Sequence, residues 1–482
     1  MIAGLVCDLF NLSLRTGRFF SDWKDANLTP LYKKGKRSLF TNYRGISLLP
    51  ILSKVLEKCV ARRLVLFTMD RIYYLQHSFR AGLSCTTQLL AVLHEIGKSL
   101  DRGQETDIIY LDLTRAFDTV CHAHLLQKLN SYGIVGTLHQ WFTNYLTCRR
   151  QRVVVNGSYS PWEEVCSGVP QGSVLGPILF ILFINDLPDS VSSSRVAMFA
   201  DDTKCFKTIR TITDVTRLQQ DLDYISEWAS YNELLFQPTK CENLRISRRR
   251  TAVARTYHLN GSPLKIVPTA RDLGVQVSQD LSWGEHIRNI ISKANRMLGF
   301  LRRHCSNGLP HATQRTLYIS LVRSHLTYAS LVWAPSQLGS LYLMRQLEGV
   351  QRRATRYILY GLELDYKRRL IRLNLLPLSY FLEYLDLLFL FRCFKGEIHL
   401  DISDTIVFSR SQTRRGSTGM DIRLIGTRTT TYRESYFVRI CPLWNALPLD
   451  LRSVERTSLF KSRLKALYTT RLHTRGHPLG LA

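Results

Sequence analysis

Val196-Ala197-Met198-Phe199-Ala200-Asp201-Asp202-Thr203-Lys204-Cys205-Phe206 reads as an apolar strand, a tight turn and a second strand, with two adjacent carboxylates at the turn. Like charges side by side repel unless a cation lies between them. A divalent ion is the ordinary remedy, and Mg²⁺ takes oxygen ligands. The competing reading is a solvated turn, because Asp is a common turn residue. The pair alone leaves both readings open. A third carboxylate and a polyanionic partner are what the rest of the chain has to supply.

Asp107-Ile108-Ile109-Tyr110-Leu111-Asp112-Leu113 reads as a buried strand with a carboxylate near its end. A buried carboxylate is costly unless paired or metal-bound, which makes Asp112 the candidate third ligand. Asp118 reads instead as an N-cap or turn acid at the start of a helix over about 121–132. Ser167-Gly168-Val169-Pro170-Gln171-Gly172-Ser173 is a glycine-rich loop entering an apolar helix that ends near Leu187, with Pro177 in its first turn. Glycine lets a backbone approach a ligand closely. Without a following Gly-Lys-Ser/Thr, the loop suits a base pair or ribose better than a phosphate cradle. Ser84 is the expected N-cap of another helix. Arg80 lies just before it, where a guanidinium beside free backbone N–H groups would hold a phosphate. A surface arginine is the competing reading. Asn156-Gly157 and Asn260-Gly261 mark hairpin turns.

The chain has 482 residues, 45% of them hydrophobic, enough for two or three domains. Lys and Arg number 65 against 38 Asp and Glu, a formal net charge of +27. That excess points to an anionic partner, nucleic acid first, against the plainer reading of a basic soluble surface. The 11 cysteines are scattered singly, so neither a zinc ribbon nor a disulfide framework is expected, and no zinc partner. The longest apolar run, 174–184, contains Gly176 and Pro177 and is too short to span a bilayer. A soluble, intracellular protein is expected. Met1 opens into what reads as the middle of a domain, which fits a fragment of a longer parent. Helices rich in cations are expected over 286–360, and 361–482 is mixed and basic.

Strand-borne Asp112, the glycine-rich loop, the Asp201-Asp202 hairpin and the later Lys240 form an ordered set. Leu111-Asp112-Leu113-Thr114-Arg115-Ala116-Phe117-Asp118, the loop 167–177 and Phe199-Ala200-Asp201-Asp202 together resemble the reverse transcriptase palm. Asn42-Tyr43-Arg44 with Ile46-Ser47, and Gln76 with Phe79-Arg80 and Gly82, resemble its fingers blocks. Leu273-Gly274-Val275 with Leu281, Trp283 and His286-Ile287, and Trp444-Asn445 with Leu447-Pro448, narrow the resemblance to non-LTR retrotransposon polymerases of the jockey or CR1 kind. The resemblance implies an α+β right-hand polymerase: fingers over 1–105, a palm with a ferredoxin-like antiparallel sheet and some fingers elements over 106–285, a helical thumb over 286–360, and a C-terminal region over 361–482.

It implies two-metal nucleotidyl transfer with two Mg²⁺ ions, or Mn²⁺ in their place, held by Asp112, the Leu113 carbonyl and Asp201, with Asp202 auxiliary. Arg80 would grip the triphosphate of a dNTP, and Lys240 would neutralise or protonate pyrophosphate. Phe117 would exclude a ribose 2′-hydroxyl. Gln171 and Gly172 would lie under the nascent base pair. The implied partners are an RNA template, a DNA primer or target and dNTPs, with no membrane. The nucleus or cytoplasm is the implied location. The chain departs from the family pattern at Gly45, Ser78, Leu83 and Gln237. The first three are expected to affect the fingers and not the metal ligands. The endonuclease usual upstream in such elements is not in the sequence, so the chain alone is expected not to nick its target. A degenerate copy that only binds nucleic acid, and an RNA-templated RNA polymerase, are the competing functions.

Overall fold

The computed structural model describes residues 2–249, 255–305, 308–335, 341–409 and 420–480. Helix α1 (Ile2–Thr16) leads to an antiparallel pair, β1 (Asp25–Tyr32) and β2 (Tyr43–Leu48), then helices α2 (Ile51–Thr68) and α3 (Cys85–Asp101). Ser84 caps α3 as expected, accepting from the Thr87 N–H, while the Thr87 hydroxyl accepts from the Ser84 N–H. Strand β3 (Glu105–Leu111), helices α4 (His122–Ser131) and α5 (Gly136–Leu146), and strands β4 (Arg149–Val155), β5 (Ser158–Tyr159) and β6 (Glu163–Val165) follow. A first sheet runs β2-β1-β4-β5, with β6 also on β4 and β1 parallel to β4. Asn156 and Gly157 turn β4 into β5 at φ of 48° and 84°, the left-handed pair a tight hairpin requires.

Helix α6 (Gly176–Phe183), strands β7 (Arg195–Phe199) and β8 (Asp202–Ile209), helix α7 (Ile212–Tyr231) and strand β9 (Glu242–Ile246) complete a βαββαβ unit begun by β3. Short strands β10 (His258–Leu259), β11 (Ser262–Pro263) and β12 (Lys265–Val267) follow. The second sheet is ordered β12-β9-β3-β8-β7. Its β9-β3-β8-β7 part is antiparallel throughout, the ferredoxin-like arrangement; β12 adds a parallel edge. The central strands are buried on both faces, which is why they read as near-continuous apolar runs. In β3, Ile108 turns to one core while Ile109 and Leu111 turn to the other.

The chain then forms a separate hairpin, β13 (Thr269–Asp272) and β14 (Val275–Ser278). Helices α8 (Gly284–His304), α9 (His311–Leu317), α10 (Ser324–Thr327), α11 (Ser330–Trp333) and α12 (Leu341–Ile358) follow, with a π-type segment Tyr318–Arg323 joining α9 to α10. Within the stretch expected to be helical, 286–360, the chain breaks at Ala329, whose φ is 49°. Lys293, Arg296, Arg302 and Arg303 of α8 and Arg345, Arg353 and Arg356 of α12 face solvent opposite the apolar stripes of those helices.

The remaining described residues form helices α13 (Tyr366–Arg372), α14 (Leu378–Phe394), α15 (Thr430–Arg433), α16 (Tyr436–Asn445), α17 (Leu449–Arg452) and α18 (Thr457–Arg475). Phe460, Leu464, Tyr468 and Leu472 give α18 one apolar stripe at four-residue spacing, with Phe460 stacked on Phe391 of α14. One buried cluster runs from Leu75 to Leu479 and crosses 285/286 and 360/361, so the segments on either side of those positions share a core. Among the described residues no helix is long and apolar enough to cross a membrane.

Candidate active site

The turn between β7 and β8 is Ala200-Asp201, with Ala200 in the left-handed region at φ 54°. For a residue other than glycine that costs about 1–2 kcal/mol. Hydrogen bonds offset it. The Ala200 N–H donates to Ser78 Oγ at 2.8 Å and to Gln76 Oε1 at 3.2 Å, and Ser78 Oγ donates to Gln76 Oε1 at 2.7 Å. Gln76 and Ser78 are fully buried. Leu75 and His77 add backbone bonds to Met198 of β7. The departure at Ser78 therefore acts on the carboxylate turn as well as on the fingers, contrary to expectation. A local reading missed it because the contact spans more than a hundred residues.

Leu111 pairs with Thr203, so one further step of the register sets Asp112 opposite Asp202. Strand β3 ends at Leu111, and the Asp112 side chain is 43% exposed, not buried as its apolar neighbours suggested. Lys240 Nζ lies 3.4 Å from Asp112 Oδ1. The Gln237 N–H donates to the Asp112 carbonyl, and the Thr114 N–H to the Leu235 carbonyl. Leu113 thus faces Phe236 as a non-hydrogen-bonded pair, which leaves the Leu113 carbonyl outside the ladder. Asp202 is exposed as a residue, yet crowding of its carboxyl by the cleft walls pushes it up to about 6 by desolvation, with Asp201, Asp272 and Asp112 adding repulsion and Lys204 opposing it. The cleft is lined by Asp112, Asp202, Lys204, Lys240, Asp272 and Leu273. An all-oxygen donor set of crowded carboxylates fits a hard divalent cation.

Arg80 Nη1 donates to the Tyr73 and Gln76 carbonyls at 3.2 and 3.0 Å, while its Nε is buried without a partner. Phe117 stacks on Phe180 of α6 with centroids 4.2 Å apart, which fixes the ring's attitude. Asp118 does not cap α4, whose N-cap is Cys121. It is a turn acid, and its Oδ1 accepts from Gln171 Nε2 at 2.7 Å. The loop glycines are used inside the protein: a Cβ on Gly168 would stand 2.6 Å from the Asp118 carbonyl oxygen, and one on Gly172 2.5 Å from that of Ser47. Their freedom lets the loop pack closely on the turn at Asp118 and on β2.

Glu57 gave no motif signal, yet it is fully buried and anchors the same loop from α2. Its Oε2 accepts from the Val174 and Leu175 N–H groups at 2.7 and 3.1 Å, and its Oε1 from Ser53 Oγ at 3.0 Å. A Glu amid apolar helix positions was the available clue. Away from the cleft, Cys121, His124 and Glu233 bring ligand-type atoms within 4.8 Å of one another, with Glu233 exposed. Single cysteines had argued against any such group.

Comparison with known proteins bears on this arrangement. Residues 32–280 match the family model described as reverse transcriptase (RNA-dependent DNA polymerase). The RNA-directed DNA polymerase from mobile element jockey of Drosophila melanogaster is 29% identical over 355 residues, covering 70% of this chain and 38% of that protein. Its Drosophila funebris counterpart is 29% identical over 359 residues, again covering 70% and 38%. The chain spans about two fifths of the length of these relatives. Among solved structures, apo telomerase from Candida tropicalis aligns with TM-score 0.44 at 9% identity, over 84% of this chain and 72% of that one. With more than half of its residues matched by the family model, and with the mobile-element polymerases as relatives, the chain belongs to the reverse transcriptase family.

Proposed function

We propose that the chain is the RNA-directed DNA polymerase core of a non-LTR retrotransposon, joining dNTPs to a primer 3′-hydroxyl on an RNA template. The observation that carries the reading is the convergence of Asp112, Asp202 and Lys240 in one cleft at the end of a ferredoxin-like sheet, with Asp201 the adjoining residue of the turn. Asp112, Asp201 and the Leu113 carbonyl would hold two Mg²⁺ ions, with Asp202 auxiliary. Bound there, such ions supply activation of the hydroxyl and charge neutralisation of the triphosphate. Lys240, 3.4 Å from Asp112, moves from that carboxylate to a leaving pyrophosphate. Arg80 carries donors for the triphosphate once its guanidinium leaves the Tyr73 and Gln76 carbonyls. Phe117, braced by Phe180, bars a 2′-hydroxyl. Gln171 and Gly172 support the nascent pair. The basic faces of α8 and α12 suit the backbone of an RNA–DNA hybrid, read by charge and shape. Residues 1–105, 106–285, 286–360 and 361–482 serve as fingers, palm, thumb and C-terminal region. A chromosomal DNA target would place the working enzyme in the nucleus.

Primer extension on an RNA template with dNTPs and Mg²⁺ tests this reading. Extension by the chain, abolished in Asp201→Ala, is the expected result. RNA binding without extension would replace the enzyme by a degenerate nucleic-acid-binding remnant.

A further inference from the structure

Helix α4 opens on two side chains that its own capping does not use. Cys121 is the N-cap and His124 the third helical residue, and no side-chain cap bond forms there. Ser, Thr, Asn or Asp is the ordinary choice at an N-cap. Side chains at these two positions face one another across the first turn, as they do in a capping box. Glu233 meets them from α7. It follows Asn232, the C-cap of that helix, and has φ 57°. Glycine or Asn is the usual residue at such a position, because a Cβ penalises left-handed backbone. The Glu233 carboxylate enters no ion pair among the described residues.

A sulfur, a ring nitrogen and a carboxylate oxygen of these three residues lie within 4.8 Å of one another. Their backbones are anchored on both sides. Leu125, next to His124, and Leu234, next to Glu233, are buried. The Val120 carbonyl accepts from the Gly168 N–H at 2.8 Å, and the His122 ring bonds the Gly168 carbonyl at 2.7 Å, so both neighbours of Cys121 are pinned. The His124 ring lies flat on Tyr231, the last residue of α7, with centroids 5.1 Å apart and planes 9° from parallel. His124 Nδ1 is buried without a hydrogen-bond partner. A polar atom in that state is costly and calls for a ligand.

Sulfur, imidazole nitrogen and carboxylate oxygen together suit a borderline transition metal, whereas Mg²⁺ and Ca²⁺ take oxygen alone. We infer that Cys121, His124 and Glu233 form a Zn²⁺ site, separate from the carboxylate cleft. Tetrahedral zinc sets its donors roughly 3.5 Å apart, so each side chain has to shift by less than about 1 Å. Cys121 binds as the thiolate, releasing its proton to solvent, and the two anionic ligands balance the charge of the ion. Water takes the fourth position. Scattered single cysteines spoke against zinc, but one thiolate suffices where His and Glu complete the set. The bound ion ties the start of α4 to the end of α7. Just beyond Glu233, the Leu235 carbonyl accepts from the Thr114 N–H, and Phe236 faces Leu113. The ion therefore braces the segment that carries Leu113 and Phe117.

The test uses the full chain, stripped of metal by a chelator, kept reduced, and held in excess Mg²⁺ so that oxygen-only sites are filled. Zn²⁺ alone, titrated against a chromogenic chelator, should bind at one high-affinity equivalent. Co²⁺ in its place should show thiolate-to-cobalt charge transfer, lost in Cys121→Ser. Loss of an outer-sphere partner alone costs about 10- to 100-fold in affinity, so Cys121→Ser, His124→Ala and Glu233→Gly should each cost at least about 100-fold. Cys59→Ser removes an exposed thiol on α2 and should bind as the wild type does. Glu233→Gly also relieves the left-handed backbone. Its metal-free urea midpoint should equal or exceed that of the wild type, while zinc no longer raises it. That variant decides the matter even where another fails to fold. Hydrogen exchange over 113–121 and 232–236 should slow on adding zinc, in chains that bind it. No bound equivalent, or wild-type affinity in Cys121→Ser or Glu233→Gly, would overturn the site; zinc bound without slower exchange would overturn the brace. Both readouts work without nucleic acid, so they stand whether or not the chain extends a primer.

Discussion

Gly172→Ala asks whether the glycine-rich loop holds Gln171 in place for catalysis. Gly172 has φ +120°, and a Cβ there would stand 2.5 Å from the Ser47 carbonyl oxygen. That oxygen belongs to strand backbone and cannot swing aside. Adopting such a backbone costs a non-glycine residue about 1–3 kcal/mol. Relief requires the loop to lift from β2, which also breaks the 2.7 Å bond from the Ser47 N–H to the Gln171 carbonyl. A lost hydrogen bond adds about 0.5–1.5 kcal/mol, so the total is about 2–4 kcal/mol. Gln171 moves with the loop and strains its bond to Asp118. If that energy appears in the transition state, kcat/KM for dNTP falls by about 30-fold to several hundredfold. Single-nucleotide extension measures this. Gly157→Ala is the control: its φ is +84°, nothing lies within 4 Å of its Cβ, and it sits on the β4–β5 turn. It should keep full activity. A folded Gly172→Ala chain with kcat/KM within about threefold of the wild type would refute the role given to the loop.

Phe117→Ala should admit rNTPs, seen as a fall in the dNTP-over-rNTP ratio of kcat/KM; an unchanged ratio would remove the ring from sugar choice. Asp107→Asn strips charge from a fully buried carboxylate that accepts from Arg255 at 2.6 and 2.9 Å and from Tyr257 at 2.7 Å. It leaves Arg255 with Glu105 alone, and should cost about 3–5 kcal/mol in urea unfolding; a loss under about 1 kcal/mol would mean that the network relaxes freely. Burial lowers His94 from 6.5 to about 4 where its ring meets Tyr432 and Phe437. Between those values the unfolded chain binds a proton that the folded chain does not, so stability falls as pH falls, by about 2 kcal/mol near pH 5 from this group. His77 and His286 are lowered to about 4 by burial as well, so His94→Gln should reduce, not abolish, the slope in urea midpoints measured from about pH 7 to pH 5, and an unchanged slope would exclude His94 as a contributor.

Much of the fold was legible because the signals are local. Asn156-Gly157 and Asn260-Gly261 demand left-handed backbone and turned hairpins as expected. Ser84 capped its helix, and apolar runs became the strands of a sheet covered on both faces. The break at Ala329 was not legible. It depends on packing around Tyr328 and Trp333, whose indole N–H bonds the Tyr328 carbonyl, and on no proline or glycine.

The candidate site divides the same way. Sequence alone determined which residue types could do the chemistry, and in what order: Asp112, the glycine-rich loop, Asp201-Asp202, Lys240. These stand in short motifs whose composition is itself the message. The tertiary structure decided what holds them there. Ser78 and Gln76 bind the carboxylate turn, Glu57 anchors the loop, and Lys204 reaches Asp272 across the cleft. Each of these pairings joins residues roughly 70 to 120 positions apart. A buried polar group reveals its partner only when folding removes the water that would otherwise satisfy it.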